Sequence, residues 1–168
     1  MLKNVLEILA TTPQKLRQEI ATFSRREMLA RPAPGKWSVQ EILAHLADVE
    51  EFGMRGRVAA MIEQENPILH AFDQDARAIE SKYSTLDPRR SLARLEEQRR
   101  VNVKWLRRLR PTQLKRRGRH EKVGAISVEE LITEWAFHDL GHLKQILEIK
   151  RYVLYSRIGN MREFYTLQ

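Results

Sequence analysis

Apolar residues recur at helical spacing in four stretches of the chain, and most prolines and glycines gather between them. Leu2, Val5, Leu6, Leu9, Leu16, Ile20 and Phe23 fall near one stripe of a helix over roughly residues 2–23. Thr12-Pro13 reads as a break within it, an N-cap followed by proline at the first helical position. The segment ARPAPGKW then forms a turn that cannot be helical. A second helix opens at Ser38 and is expected to run to about Met61. Ser38 and Glu41 have the spacing of a capping box, in which each side chain satisfies a backbone N–H at the helix start. Its inward stripe carries Ile42, His45, Val49 and Phe52. Residues 64–86, with ENP and FDQD, read as mixed and partly irregular. A third helix follows Asp87-Pro88, turns Leu92, Leu95, Leu106 and Leu109 inward, and stops before Pro111. A second capping box, Ser127 with Glu130, opens a fourth helix that runs to about Arg151. Beyond it, Tyr152, Tyr155, Phe164 and Tyr165 suggest a tail packed on the bundle or on a second subunit.

No strand pattern competes with these helices, so the expected class is all-α, a four-helix bundle. Its 168 residues suit a single domain over 1–168 with one core. The two capped helices read alike, SVQEILAHLAD against SVEELITEWAFHD, a faint repeat that capping chemistry alone could produce.

Composition narrows the chemistry. Cysteine is absent, which removes disulfides, thiolate ligands and a cysteine nucleophile, and leaves His and carboxylate as the strong metal ligands. The start, MLKNVLEILATTPQK, lacks the apolar core and small-residue cleavage site of a signal peptide, and no apolar run approaches a membrane span. A cytoplasmic protein without a membrane partner is expected. The formal net charge is +8, and its excess sits in one segment: Arg99 to Lys122 holds 11 of the 30 Lys and Arg but one of the 22 acids, Glu121. Such a segment can bind nucleic acid or another polyanion. Here Trp105 is its one aromatic and no DNA-binding motif accompanies it, so the favoured reading is a solvated helix face and loop, without a nucleic-acid partner.

His138 and His142 stand four apart on a predicted helix, one turn apart on one face, where both side chains can converge on one ion. Leu131, Trp135 and Ile146 mark that face as the buried one. Two readings remain open for such a pair: core histidines hydrogen-bonded to backbone or carboxylate, or metal ligands. His45, inward by its own periodicity, adds a third imidazole from a second helix, the layout of a three-His site with an open position. His70 and His120 fall in loops. HDLGH is not the zinc-protease motif, because Asp139 stands where that motif needs Glu and the third histidine lies upstream.

PAPGKWSVQEILAHLADVE and EWAFHDLGH resemble the two signature segments of the DinB-like superfamily. ENPILHAFDQDARA and RHEKVGAISVEELITEWAFHDLGHLKQI resemble its branch of metal-dependent hydrolase-like proteins and bacillithiol transferases. The resemblance covers most of residues 2–150 and implies an up-down-down-up four-helix bundle. It also implies that His45, His138 and His142 are metal ligands and that a homodimer is plausible. Gly141 stands where that branch often carries an additional histidine, so any role of that imidazole is lost here.

The family's activities and an open three-imidazole position lead to the expectation of a metal-dependent transferase. It would activate a low-molecular-weight thiol toward a small-molecule electrophile. The alternatives are a metal-dependent hydrolase and a non-enzymatic module that binds metal or nucleic acid. Glu134, one turn before His138, and Asp48, one turn after His45, are the candidate general bases, or else partners orienting the ligand imidazoles. Arg55 and Arg57 could hold an anionic substrate group, and Trp37 and Trp135 are expected in the core. Three imidazoles suit Zn, Ni, Fe or Mn alike.

Overall fold

Serine caps set the helix starts. In the structure, a computed structural model that describes residues 2–71 and 73–166, the Ser38 and Ser127 side chains accept from the N–H groups of Glu41 and Glu130. Those glutamates accept in return from the serine N–H groups. The four long segments are α1 (Leu2–Ile20), α3 (Val39–Val49) continuing through a π-helical turn (Glu50–Arg55) into α4 (Gly56–Glu63), α6 (Pro88–Leu106) and α8 (Val128–Tyr155). Short helices α2 (Arg25–Leu29), α5 (Gln74–Glu80) and α7 (Pro111–Leu114) fill the connections.

Contacts between the long helices fix their directions. Glu51 meets Arg94 and Gln98, Glu50 meets Arg99 and Asn102, and Arg55 lies over Trp105, so α3–α4 and α6 rise together. Arg17 pairs with Glu96 while Glu7 faces Arg107, which makes α1 and α6 antiparallel. The Leu9 carbonyl and Asp139 share Arg99, and Glu19 pairs with Lys150, so α1 and α8 run parallel. Up-down-down-up follows, and the long connection over residues 64–87 is what lets the two middle helices run the same way.

Several local expectations change. Helix α1 does not break at Pro13, which sits inside it. Proline has no N–H to give the Leu9 carbonyl four residues back. That oxygen instead accepts from the guanidinium of Arg99 at 2.8 Å. A buried partner from another helix replaces the missing rung.

Phe52 is 58% exposed, not inward. The π turn adds a residue to the cycle and shifts the helix phase, so Glu50 takes the inward place and Phe52 swings out. Residues without a strand signature also form a small sheet. β1 (Ile68–Leu69) pairs parallel with β2 (Arg117–His120), which pairs antiparallel with β3 (Gly124–Ser127). Its strands are too short to show an alternating pattern, and buried Gly118 lies so close to Met61, Leu69 and the Pro67 carbonyl that a side chain there would make its neighbours shift. The third helix ends at Leu106, ahead of Pro111, and the fourth extends to Tyr155. The tail folds back on that end through Arg162, which donates to the Tyr155 carbonyl, but Phe164 and Tyr165 stay exposed.

The core is split in two. Leu6, Leu9, Val58, Met61, Leu106, Val128, Ile132 and Trp135 pack at one end, and Leu16, Ile20, Ile42, Leu43, Leu46, Leu92, Leu95 and Ile146 at the other. Between them lies a layer of polar side chains, and the candidate site belongs to that layer. No helix among the described residues is long and apolar enough to cross a membrane.

Candidate metal centre

Capping places the histidines. With Ser38 fixed as the N-cap of α3, His45 falls two turns in and faces α8. With Ser127 as the cap of α8, His138 and His142 occupy successive turns of its buried side. The His138 Nε2 atom lies 3.1 Å from the Nε2 of His45 and 3.1 Å from that of His142. One nitrogen from each ring lies within 4.8 Å of the other two. Among the described residues they are the one group of three or more His, Cys, Asp or Glu gathered in this way.

The donor set fits a divalent ion. Two nitrogens each about 2.1 Å from a common metal are about 3.0 Å apart at a right angle and about 3.4 Å apart at the tetrahedral angle. The two contacts of His138, each 3.1 Å, lie between. Charge agrees: burial, then the neighbouring imidazoles, pushes His45 down to about 2, and burial, then His142 and Arg99, pushes His138 down to about 3. His142 is lowered as well, chiefly by burial. Neutral rings keep the lone pairs that a metal requires. For His138, hydrogen bonds to backbone or carboxylate do not describe the surroundings. Its Nε2 faces the other two imidazoles, and its buried Nδ1 has no hydrogen-bond partner among the described residues. His142 Nδ1 lies 2.8 Å from Gln145 Oε1; an Nδ1–H donated there leaves the Nε2 lone pair turned to the cluster. Gln145 was not singled out from the sequence, although its place three residues after His142 is the signal.

Trp37 is a half-buried wall rather than core. Its ring centroid is 4.8 Å from that of His45, and its plane is within 4° of that of His142. Trp135 is fully buried and donates to Glu50 at 3.0 Å.

The two acids are held very differently. Asp48 accepts from Arg77 at 2.7 Å and from the Tyr83 hydroxyl at 2.6 Å. Burial alone would raise its pKa, but Arg77 and Tyr83 outweigh burial and hold it below the usual carboxylate value. A depressed carboxyl stabilises the fold above its unfolded pKa, near 4, and loses that contribution as pH falls through the lower folded value. Asp48→Asn should therefore cost about 1.5–3 kcal/mol at pH 7. In denaturant titrations the gap between parent and variant should close toward pH 3; a pH-independent gap would remove the charge from the explanation. Glu134, on the outer side of α8, has its pKa raised by desolvation, with Arg57 opposing and Asp139 adding to the rise. Arg57 donates to the His70 carbonyl, whereas Arg55 stacks on Trp105, 3.4 Å from the ring centroid, and faces α6. His70 and His120 stay outside the cluster, on the strand β1 exit and the end of β2; His70 pairs with Glu121 at 2.7 Å.

Beneath the histidines lies a network that the sequence pattern concealed. Arg99, 2% exposed, donates to Glu50 at 2.8–3.0 Å, to both oxygens of Asp139 and to the Leu9 carbonyl. Asn102 adds a bond to Glu50 at 2.9 Å. The basic segment is thus not wholly a solvated face. Its first arginine is the most buried charge balance in the protein, and Arg116 is spent on the carbonyls of Met61 and Gln64.

Residues 8–146 match the DinB superfamily. YfiT of Bacillus subtilis, described as a candidate metal-dependent hydrolase, is 27% identical over 150 residues, 87% of this chain and 82% of YfiT. OB0782 of Oceanobacillus iheyensis, with the same description, is 27% identical over 140 residues, 82% of this chain and 78% of its own. The solved structure of Bacillus subtilis YfiT, described as having an unusual four-helix bundle topology, superposes with a TM-score of 0.83. The identity there is 26%, over 90% of this chain and 86% of that one. These relatives and the three-His cluster together support a metal-dependent function.

Proposed function

The chain belongs to the DinB superfamily, and on that premise we propose that His45, His138 and His142 hold one divalent metal ion and that the protein is a low-molecular-weight thiol S-transferase. The observation that carries this is the convergence of three neutral imidazoles in a buried layer between two apolar clusters, with His138 Nε2 3.1 Å from the Nε2 of both His45 and His142 and the three nitrogens within 4.8 Å of one another. A divalent ion there, Zn, Ni, Fe or Mn, supplies the Lewis acidity that turns a thiol or a water into a nucleophile near neutral pH.

The chain's own residues do the rest. Gln145 fixes the tautomer and rotation of His142. Both Asp48 oxygens are engaged by Arg77 and Tyr83, which leaves Glu134, one turn before His138 and with its pKa raised by desolvation, as the freer candidate proton acceptor. Arg57, with donors to spare beyond the His70 carbonyl, faces the same side and suits an anionic group of the small-molecule substrate.

Hydrolysis is the second reading, favoured by the descriptions of the relatives. One experiment separates the two. Protein loaded in turn with Zn, Ni, Fe and Mn is incubated with bacillithiol, mycothiol or glutathione and a panel of epoxides, alkyl halides and activated alkenes, and separately with esters and amides without thiol. Thiol-dependent consumption of an electrophile, lost in His142→Ala, is the expected result. Thiol-independent hydrolysis lost in the same variant would replace the transferase by the hydrolase, and silence with all four metals would sink both.

A further inference from the structure

Helix α8 packs one side on α1, α3 and α4 and buries Leu131, Trp135, His142, Ile146 and Ile149 there. Its outer side is not polar throughout. Leu140, Leu147 and Leu154 recur every seven residues and are all exposed, and Phe137, 78% exposed, stands one turn before the first of them. On a helical projection Phe137, Leu140, Lys144, Leu147, Arg151 and Leu154 fall within a stripe about 100° wide, the a and d positions of a heptad seam. Apolar residues scattered singly over a surface need no partner, whereas an aligned row of them marks an interaction site. Gly141 flanks the row. Glycine weakens a helix interior, and among the described residues nothing lies within 4 Å of where its Cβ would stand, so the packing of the chain itself does not call for it. A second helix lying close alongside would.

We propose that this face of α8 binds the same face of a second copy of the chain, with the two helices antiparallel. Charge selects the direction. In a parallel pair Lys144 would meet Lys144 and Arg151 would meet Arg151 along the seam. In an antiparallel pair with its twofold axis between residues 145 and 146, Phe137 meets the partner's Leu154. Leu140 then lies under the stem of the partner's Arg151, and Leu147 under that of the partner's Lys144, which keeps both cationic ends at the rim. The same register brings Lys144 within one residue of the place opposite the partner's Glu148, twice by symmetry. Lys144 and Glu148 of one chain stand 3.6 Å apart, but both are exposed and the lysine precedes the glutamate, the weaker order for such a pair. Exchanging it for two pairs across the axis gives up little. From Phe137 to Leu154 the seam is about 25 Å long. That is short for an interface, so the dimer is a weak one, with a dissociation constant of about micromolar order.

Sedimentation equilibrium of the whole protein from about 1 to about 300 micromolar is expected to show a reversible equilibrium between monomer and dimer. Leu147→Glu should raise the dissociation constant at least about tenfold. Its helical content should not change, because Leu147 is 41% exposed and belongs to neither core cluster. Lys144→Glu and Glu148→Lys should each stay monomeric, since either sets like charges against each other across the seam. Their equimolar mixture should dimerise, because in the mixed pair both contacts join a glutamate to a lysine. The double variant carrying both changes should associate as the parent does. The pair within one chain, lost in either single variant and not restored by mixing, predicts no such rescue. Phe164→Ser, at a tail position 73% exposed, should leave the equilibrium where it was. A parent that is monomeric over the whole range, a dimer that survives Leu147→Glu or is lost in Phe164→Ser, charge variants that dimerise alone, or a mixture that stays monomeric would each overturn the proposal. None of these readouts depends on bound metal, so this inference and the metal-centre reading fail separately.

Discussion

Purified without a metal-affinity tag, the protein is expected to carry about one equivalent of a divalent metal, and His45→Ala and His138→Ala are each expected to carry none. Both histidines are held by helices whose starts are capped independently of the cluster, so the variants should keep their helical content. Removing a residue that merely orients a ligand weakens metal binding about 10–100-fold; removing one of three ligands should exceed that. The stability readout adds a second, independent measure. A ligand that binds the native state at a hundred times its dissociation constant contributes about 2.7 kcal/mol. For a chain of this size that is a fall of about 5–10 °C in Tm when a chelator is added to the parent. The same chelator should leave Tm of either variant where it was. A parent that remains metal-free after incubation with Zn, Ni, Fe and Mn would mean that the imidazoles serve packing, and the transferase and hydrolase readings would fall together.

The candidate site was legible because it depends on short-range regularities. A spacing of four on a capped amphipathic helix fixes which face a pair of histidines shares, and the Ser38 capping box fixes the phase that turns His45 inward. The four long helices were legible for the same reason. Elsewhere the phase is lost. The π turn at Glu50–Arg55 has no signal in the apolar pattern, and reading straight through it exchanged Glu50 for Phe52. Pro13 looked like a break because the carbonyl it orphans finds its donor some 90 residues later in the chain. Arg99 looked like one charge among many in a basic run, and its burial follows from two carboxylates on two other helices that no local window contains. The small sheet joins segments about 50 residues apart, with strands of two to four residues. Asp139 was in view beside His138, but its partner Arg99 was not, and Gln145 went unread although its partner His142 stands three residues before it.

Arg99→Met is expected to be the most destabilising substitution outside the apolar core, by about 3–5 kcal/mol, the usual cost of removing one partner from a buried ion pair. Glu50 is 0% and Asp139 1% exposed, so neither can turn to water when the guanidinium is gone. Burial already raises the Glu50 pKa, with Arg99 as the main opposing influence. Without Arg99 one carboxyl should take up a proton, and the Tm fall of about 6–20 °C should shrink at lower pH. Asp139 directly follows His138, so a loosened Asp139 frees the turn that aims two of the three imidazoles, and metal affinity should drop with stability. The coupling to α1 distinguishes this network from an ordinary buried charge. In the parent, Pro13→Ala would restore an N–H to a Leu9 carbonyl that Arg99 already satisfies; in Arg99→Met the same change would supply the carbonyl's missing donor. Pro13→Ala should therefore be more stabilising in the Arg99→Met background than in the parent, by about 1–2 kcal/mol. Identical effects in the two backgrounds, measured by urea unfolding, would show that the Leu9 carbonyl does not depend on Arg99, and the account of an unbroken α1 would need another donor.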